Sequence, residues 1–408
     1  MKSNFVKNHP YLIVMVAALG YFVDAYDLIL FVVIRKSSLM SLGVSEKVLT
    51  ETGLNLFNIQ MIGTFLGGIF FGIMGDKKGR LSVLFGSILV YSLANLLNAG
   101  VDQMWQYYVL RFVAGFGLAG ELGAGITLVS EVMPKEKRGY GTAIVAASGA
   151  FGAVMAGLMG DLTTWRISFL IGGLMGLVLL ILRFNTFEST LFEKARVSDK
   201  MKGDFFSLFT IKSRFKRYFS SILVSLPIFF TIAILMQLAP EVATELGIKT
   251  EIKAGVAVSL VYIGLTLGDL SSGLISQWLK NRLIVIRIFL VLGFIVLVIH
   301  LISKEISIQW LYFTYVVLGF AAGYWVNLIT LAAEQFGTNI RATVATTIPN
   351  FARGAAVPIS LFYQYLRTSF ETSVLGAAAI SGFLCFILAF SSTFLLKDTF
   401  SKNLDYIE

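Results

Sequence analysis

YLIVMVAALGYFVDAYDLILFVVI, from Tyr11 to Ile34, is an apolar run that carries two acidic residues, Asp24 and Asp27. Its length suits a helix that crosses a bilayer. A carboxylate at that depth costs about 2.5–3.5 kcal/mol on insertion scales, and acids three residues apart project from one face of a helix. The run therefore predicts a transmembrane helix with one face toward water, a cation or another charge.

The composition extends this picture to the whole chain. Of 408 residues, 56% are hydrophobic and 14% are charged, whereas soluble domains carry about 25% charged residues. Length and hydropathy predict twelve spans that use up the chain, so no soluble domain is left for enzymatic chemistry. The predicted spans are 11–34, 53–75, 81–100, 103–130, 140–161, 164–184, 217–239, 253–278, 284–303, 309–333, 342–366 and 372–396.

One long connection, the polar and basic segment 185–216, separates six spans from six. We expect an N-terminal six-helix half at 1–184, a central loop at 185–216, and a C-terminal half at 217–408 with a short tail. Lys and Arg concentrate on the side of the central loop, which places both termini in the cytoplasm of a bacterial-type plasma membrane. The net charge of +9 is therefore interpreted as a topology signal and not as a nucleic-acid site.

The two halves resemble each other in their loops. Glu131 and Arg138 are seven residues apart after span 4, and Glu334 and Arg341 repeat that spacing after span 10. The repeat falls in register with the span count. It predicts a duplicated six-helix unit, with the two halves related by a pseudo-twofold axis.

The loop after span 2 reads Gly72-Ile-Met-Gly-Asp76-Lys-Lys-Gly-Arg80. This resembles the G-x-x-x-D-[RK]-x-G-R signature of the major facilitator superfamily. The resemblance implies an all-α membrane transporter fold with twelve helices, in which this loop closes the cytoplasmic face. The latch implied by the resemblance comprises Gly72, Asp76, Arg80, Glu131, Arg138, Glu334 and Arg341.

Span 4 begins Arg111-Phe-Val-Ala-Gly and continues to Gly-Glu121, and span 1 contains Asp24-Ala-Tyr26-Asp27. These patterns are similar to the metabolite:proton symporter branch, with kinship to sugar and phosphate:proton porters. Span 7 lacks the Trp-x-x-x-Asp-type pattern of phosphate carriers, and span 5 lacks the Gly-Pro motif of drug:proton antiporters. The resemblance implies that Asp24, Asp27, Arg111 and Glu121 couple proton movement to transport.

The depths of these groups suggest their partners. Asp27 lies about 25 Å from the inner edge and Arg111 about 12 Å from the outer edge, so both fall in the outer half of a core about 30 Å thick. We expect an ion pair between them that a proton on Asp27 releases, with a static pair as the alternative. Glu121 lies about 15 Å below Arg111, too far to pair with it. We expect Glu121 to be a second proton-binding site or a partner of Asp24; the alternative is that it makes a structural hydrogen bond.

Arg353 lies close to the middle of span 11. A fixed cation there suits a carboxylate, which arginine binds bidentately. The alternative is an ion pair with Asp269, the one acidic residue within a C-terminal span. Further substrate contacts are expected from Asn350, Tyr26, Gln237, Tyr324 and Asn327, with helix packing as the alternative for each.

These observations predict a proton-coupled symporter that imports a small polar metabolite, a carboxylate or zwitterion such as an organic acid, amino acid or betaine, by alternating access. The alternatives are a sugar- or nucleoside-type carrier, a uniporter, and a transport-inactive membrane sensor or scaffold. We expect a monomer in the lipid bilayer with no cofactor beyond the proton. No metal is expected, because two distant histidines and one cysteine do not form a metal site.

Overall fold

The computed structural model describes residues 10–78, 80–121, 123, 125, 138–187, 205–250, 252–303 and 307–400. Every regular element in these ranges is a helix. Eight of the described helices are long and apolar enough to cross a membrane, and two shorter apolar helices lie at Ser82–Asn98 and Ala147–Leu162. The predicted all-α membrane fold is confirmed.

The first half contains one helix for each predicted span. The helix of span 4 ends at Leu118 and is followed by a turn at residues 119–120; residues 122, 124 and 126–137 lie outside the described ranges. The helices are α1 Pro10–Ser41, α2 Glu46–Lys78, α3 Arg80–Asn98, α4 Met104–Leu118, α5 Arg138–Leu162 and α6 Trp165–Phe187.

In the second half, helix α8 starts at Lys212, before the predicted start of span 7 at residue 217, and a short helix, α7, precedes it. Residues 205–216 thus leave the predicted central loop, and 188–204 lie outside the described residues. The helices are α7 Ser207–Thr210, α8 Lys212–Val224, α9 Leu226–Phe230, a π-helical stretch Thr231–Met236, α10 Ala239–Glu245, α11 Ala254–Leu279, α12 Arg282–Ile302, α13 Ile308–Ala322, α14 Trp325–Glu334, α15 Thr338–Gly354, α16 Ala356–Ser369 and α17 Val374–Thr393.

Three spans of this half are broken. Span 7 changes from α8 to α9 beside Pro227, which has no amide hydrogen to donate. Span 10 breaks at Gly323 and Tyr324, between α13 and α14. Span 11 breaks at Ala355, between α15 and α16, where Pro358 cannot donate to the carbonyl four residues earlier.

Close helix contacts hold the bundle together. Gly63 and Gly67 of α2 lie against the backbone of Phe112 and Phe116 in α4, where any side chain would collide. Small residues allow this approach in membranes. The two halves meet where α5 packs on α11 and where α2 packs on α15 and α16, so these helices frame the path between the halves.

Candidate functional site

An ion pair joins the two halves. Arg353 Nη2 of α15 donates to Asp24 Oδ2 of α1 at 3.0 Å, and the two side chains are 4% and 0% exposed. The pair rests on one hydrogen bond, because Arg353 Nη1 and Asp24 Oδ1 have no hydrogen-bond partner among the described residues. Arg353 therefore keeps a buried donor for another acceptor.

In this conformation Asp269 does not pair with Arg353, which is bound to Asp24; a pair between Asp269 and Arg353 in another conformation stays a prediction. Asp269 Oδ1 accepts a hydrogen bond from the amide of Val326 at 3.1 Å, at the first turn of α14. The N-terminus of a helix attracts a carboxylate through its free amides and its dipole. The break in span 10 creates this N-terminus inside the bundle, and Asp269 caps it.

Asp27 is buried within the first half, and neither of its carboxylate oxygens has a hydrogen-bond partner in the part of the chain that the structure describes. Arg111 is equally buried, but its Nη2 donates to Asn95 Oδ1 at 2.8 Å. Its guanidinium also lies over the Phe169 ring, 4.7 Å from the centroid. The predicted Asp27–Arg111 ion pair is thus not formed in this conformation, since Asn95 and Phe169 hold the guanidinium.

Glu121 forms a bidentate ion pair that sequence reasoning does not find. Arg183 of α6 donates from Nη1 to Oε1 and from Nη2 to Oε2, each at 2.8 Å, and both side chains are 1% exposed. Ser87 Oγ adds a hydrogen bond to Oε1 at 3.2 Å. Sequence reasoning missed the pair because Arg183 lies near the cytoplasmic end of its span, where a positive charge is expected for topology alone. The matching depths of Arg183 and Glu121 were the available signal.

One face of α1 carries or contacts the buried charged groups described above. A side chain at Gly20 would collide with Arg183 Nη2 and would lie 2.8 Å from Glu121 Oε2, so glycine leaves room for that pair. Asp24 and Asp27 follow four and seven residues later, which places all three on the same helical face. The polar face predicted for span 1 is confirmed, and it points into protein.

The other predicted substrate residues bond mainly to backbone carbonyls. Tyr26, Tyr324 and Asn327 make these bonds within one half, which supports the packing alternative for them. Gln237 and Asn350 bond across the halves, and each has an unpartnered amide oxygen among the described residues. The bonds are Tyr26 to Ser168 at 3.0 Å, Gln237 to Gly53 at 3.4 Å, Tyr324 to Val224 at 2.9 Å, Asn327 to Ser272 at 3.4 Å and Asn350 to Ala119 at 2.8 Å.

The halves also meet near the outer ends of α1 and α2. Arg35 Nη2 donates to Glu241 Oε1 of α10 at 2.5 Å, and Thr50 Oγ1 donates to the same oxygen at 3.0 Å. Sequence reasoning missed this contact, because both charged residues lie just outside predicted spans. With Asn350 bound to Ala119 on the inner side, the halves are in contact on both sides of the Asp24–Arg353 pair.

The predicted latch is described in part. A side chain at Gly72 would lie 3.4 Å from Thr347 of α15, so this glycine lies between the halves. Glu334 accepts two hydrogen bonds from Arg282, at 2.9 and 3.0 Å, and Arg282 holds the place in the second half that Arg80 holds in the first. Glu131 and the side chains of Asp76, Arg80, Arg138 and Arg341 lie outside the described residues, and their latch role stays a prediction.

Comparisons with known proteins agree with this architecture. A family model described as Major Facilitator Superfamily matches residues 17–360. A metabolite transport protein of Haemophilus influenzae is 26% identical over 99% of this chain and 100% of its own length. A niacin transporter of Acinetobacter baylyi is 34% identical over 40% of this chain and 37% of its own. The crystal structure of a D-xylose-proton symporter covers 95% of this chain and 98% of its own, with a TM-score of 0.72 at 18% identity, which shows a shared fold.

Proposed function

The chain belongs to the major facilitator superfamily and is a multi-pass membrane transporter, and from that premise we propose that it imports a small carboxylate-bearing metabolite together with protons. The proposal places it as a monomer in a bacterial inner membrane, with both termini cytoplasmic. The proton is its coupling ion, and it uses no other cofactor.

The observation that carries the proposal is the buried pair of Asp24 and Arg353 between the halves, at 3.0 Å. A charge of this kind within a membrane is costly and marks a transport path by default. The free Nη1 donor of Arg353 suits a substrate carboxylate, because arginine presents two parallel donors to that group. The pair therefore supports an anionic or zwitterionic substrate bound between the halves.

The same pair supplies a coupling mechanism. A substrate carboxylate that takes Arg353 leaves the charge of Asp24 without a partner, and two carboxylates close together repel each other. A proton on Asp24 removes both the unpaired charge of Asp24 and its repulsion of the substrate carboxylate. Protonation of Asp24 and binding of the substrate carboxylate to Arg353 therefore favour each other, which is the thermodynamic requirement for symport.

Asp27 and Glu121 are proposed as further proton sites of the first half. The carboxylate oxygens of Asp27 are buried and have no hydrogen-bond partner among the described residues, and a buried carboxylate without hydrogen bonds is stabilised by a proton. Glu121 already has Arg183 at 2.8 Å, so it gains less from protonation. Of the three acids only Asp24 contacts Arg353, so the proton that accompanies substrate binding is assigned to Asp24.

The comparisons support the substrate class. The Acinetobacter baylyi relative is a niacin transporter, and niacin is a small monocarboxylate. The solved structure with the same fold is that of a proton symporter. The niacin relative agrees with a cation at position 353; the symporter, whose named substrate D-xylose is uncharged, agrees only with a titratable acid for proton coupling.

The test is uptake into proteoliposomes under an inward proton gradient, with nicotinate and nicotinamide as a matched pair of radiolabelled probes and a panel of unlabelled metabolites as competitors. We expect carboxylates to compete and their neutral amides to fail. Arg353→Lys should retain part of the activity, and Arg353→Gln should lose it, because only Lys keeps the cation.

Asp102→Asn is the matched control, since Asp102 is 80% exposed and pairs with the exposed Arg166 at 2.8 Å. Its uptake should equal that of the wild type. Equal competition by neutral and anionic compounds would refute the substrate class, and uptake that ignores the proton gradient would refute the coupling.

A further inference from the structure

A groove of about 340 Å³ is lined by residues of the second half together with Phe65 of the first half; Asp24 and Arg353 are not among its lining residues. The rings of Phe65 of α2 and Phe351 of α15 are in contact in its wall, with centroids 4.4 Å apart, and Ala355, Phe215 and Phe219 line it as well. The phenol of Tyr218, also in the wall, is satisfied by Thr347 at 2.8 Å. The groove therefore presents almost only carbon, and its volume is in the range of sites that hold small ligands.

The depth of the groove is that of the hydrocarbon layer next to the central loop. Helix α8 begins at Lys212, and Phe219 lies about 10 Å further along its axis. Phe351 is two residues from Arg353, which lies near the middle of its span. An apolar groove at this depth suits a lipid chain better than water, since water gains no hydrogen bonds in it.

One face of α8 continues from the groove to the membrane surface. Lys212, Phe215, Lys216 and Phe219 are all exposed, and their spacing of three, four and seven residues places them on one face. The rings of Phe215 and Phe219 are stacked, with centroids 5.5 Å apart and planes 12° apart. The two lysines alternate with the two rings along this face; long lysine side chains extend toward the membrane surface while the rings stay in the hydrocarbon layer, which matches a phosphate group above an acyl chain.

We propose that this groove binds an anionic phospholipid of the leaflet that faces the central loop. One acyl chain fills the groove against Phe351 and Phe65, and the phosphate lies between the ammonium groups of Lys212 and Lys216. Because the wall contains residues of both halves, the bound lipid bridges them. Movement of the halves then changes the site, and occupancy of the site changes the balance between conformations.

The test is native mass spectrometry of the purified, delipidated protein, titrated with phosphatidylglycerol and with phosphatidylethanolamine that carry the same acyl chains. We expect the wild type to bind phosphatidylglycerol about tenfold more tightly, because this lipid carries a net negative charge, whereas the headgroup ammonium of phosphatidylethanolamine offsets the phosphate and competes with the lysines. The double variant Lys212→Ser/Lys216→Ser should bind both lipids alike. Ala355→Phe should fill the groove and weaken both lipids by about tenfold.

The matched control is Lys47→Ser/Lys249→Ser, which removes two exposed lysines at the opposite end of the helices and should keep the wild-type preference. If Ala355→Phe does not fold, Phe209→Ser replaces it: this change removes an apolar contact at an exposed position of the wall and should also weaken both lipids, and unchanged binding by it would likewise overturn the proposal. Equal affinity of the wild type for the two lipids, or a preference that survives loss of both groove lysines, overturns the proposal. The proposal is also overturned if Ala355→Phe binds both lipids as tightly as the wild type does.

Discussion

Replacing Asp24 by asparagine should uncouple substrate binding from pH. Asp24 and Arg353 pair at 3.0 Å in a fully buried position, and the asparagine side chain mimics the protonated acid in shape and charge. The variant leaves Arg353 ready for a substrate carboxylate at every pH. In the wild type, affinity should instead rise as the pH falls, because a proton on Asp24 favours the carboxylate at Arg353.

The expected difference in affinity follows from the cost of separating the Asp24–Arg353 ion pair. Removing one partner of a buried ion pair costs about 3–5 kcal/mol. A substrate carboxylate that binds Arg353 while Asp24 is charged must overcome this cost, because it leaves Asp24 unpaired. The asparagine of the variant can still accept one hydrogen bond from Arg353, worth about 1 kcal/mol. The net difference is therefore at least about 2 kcal/mol, which corresponds to roughly 30-fold tighter binding by the variant at high pH.

Isothermal titration of the best carboxylate from the competition panel, at several pH values, measures this difference. The wild type should approach the affinity of the variant as the pH falls, while the affinity of the variant stays constant. A variant that binds more weakly than the wild type at every pH, or one that keeps the wild-type pH dependence, would refute the reasoning.

Three further predictions concern other charges of the bundle. Glu241→Gln weakens the contact with Arg35 and should lengthen the distances between spin labels on the outer ends of the halves in pulsed EPR; unchanged distances would exclude an outer gate. Glu121→Gln leaves the buried Arg183 without its counter-ion and should destabilise the protein by about 3 kcal/mol, measured as a lower Tm in detergent; a wild-type Tm would show that the pair is dispensable. Asp269→Asn removes the charge that caps α14 and should cost about 0.5–1 kcal/mol while proton-driven uptake continues, so loss of uptake would assign Asp269 to coupling.

The membrane architecture was predictable because it depends on local properties of the sequence. An apolar run such as 11–34 has the length of a bilayer crossing whatever its neighbours are. The buried charges were predictable for the same reason, since Asp24, Arg111 and Arg353 lie inside such runs. Their burial at the interior of the bundle follows from the cost of a charge in lipid.

The partners of these charges were less predictable, because pairing depends on the rotation and the breaks of the helices. The depths of the two residues predict a pair between Asp27 and Arg111, but Arg111 donates its hydrogen bond to Asn95 of α3 instead. Asp269 is a helix cap only because span 10 breaks beside it, and hydropathy carries no sign of that break. Such details depend on packing between helices distant in sequence.

Proton uptake during substrate binding tests the coupling claim most directly. A pH indicator in weakly buffered detergent solution, near the pH at which wild-type affinity changes most steeply, reports the protons taken up when a saturating carboxylate is added. The wild type should take up close to one proton per bound carboxylate, and Asp24→Asn should take up almost none. Binding to the wild type without proton uptake, or equal uptake by the variant, would contradict the link between Asp24 and Arg353.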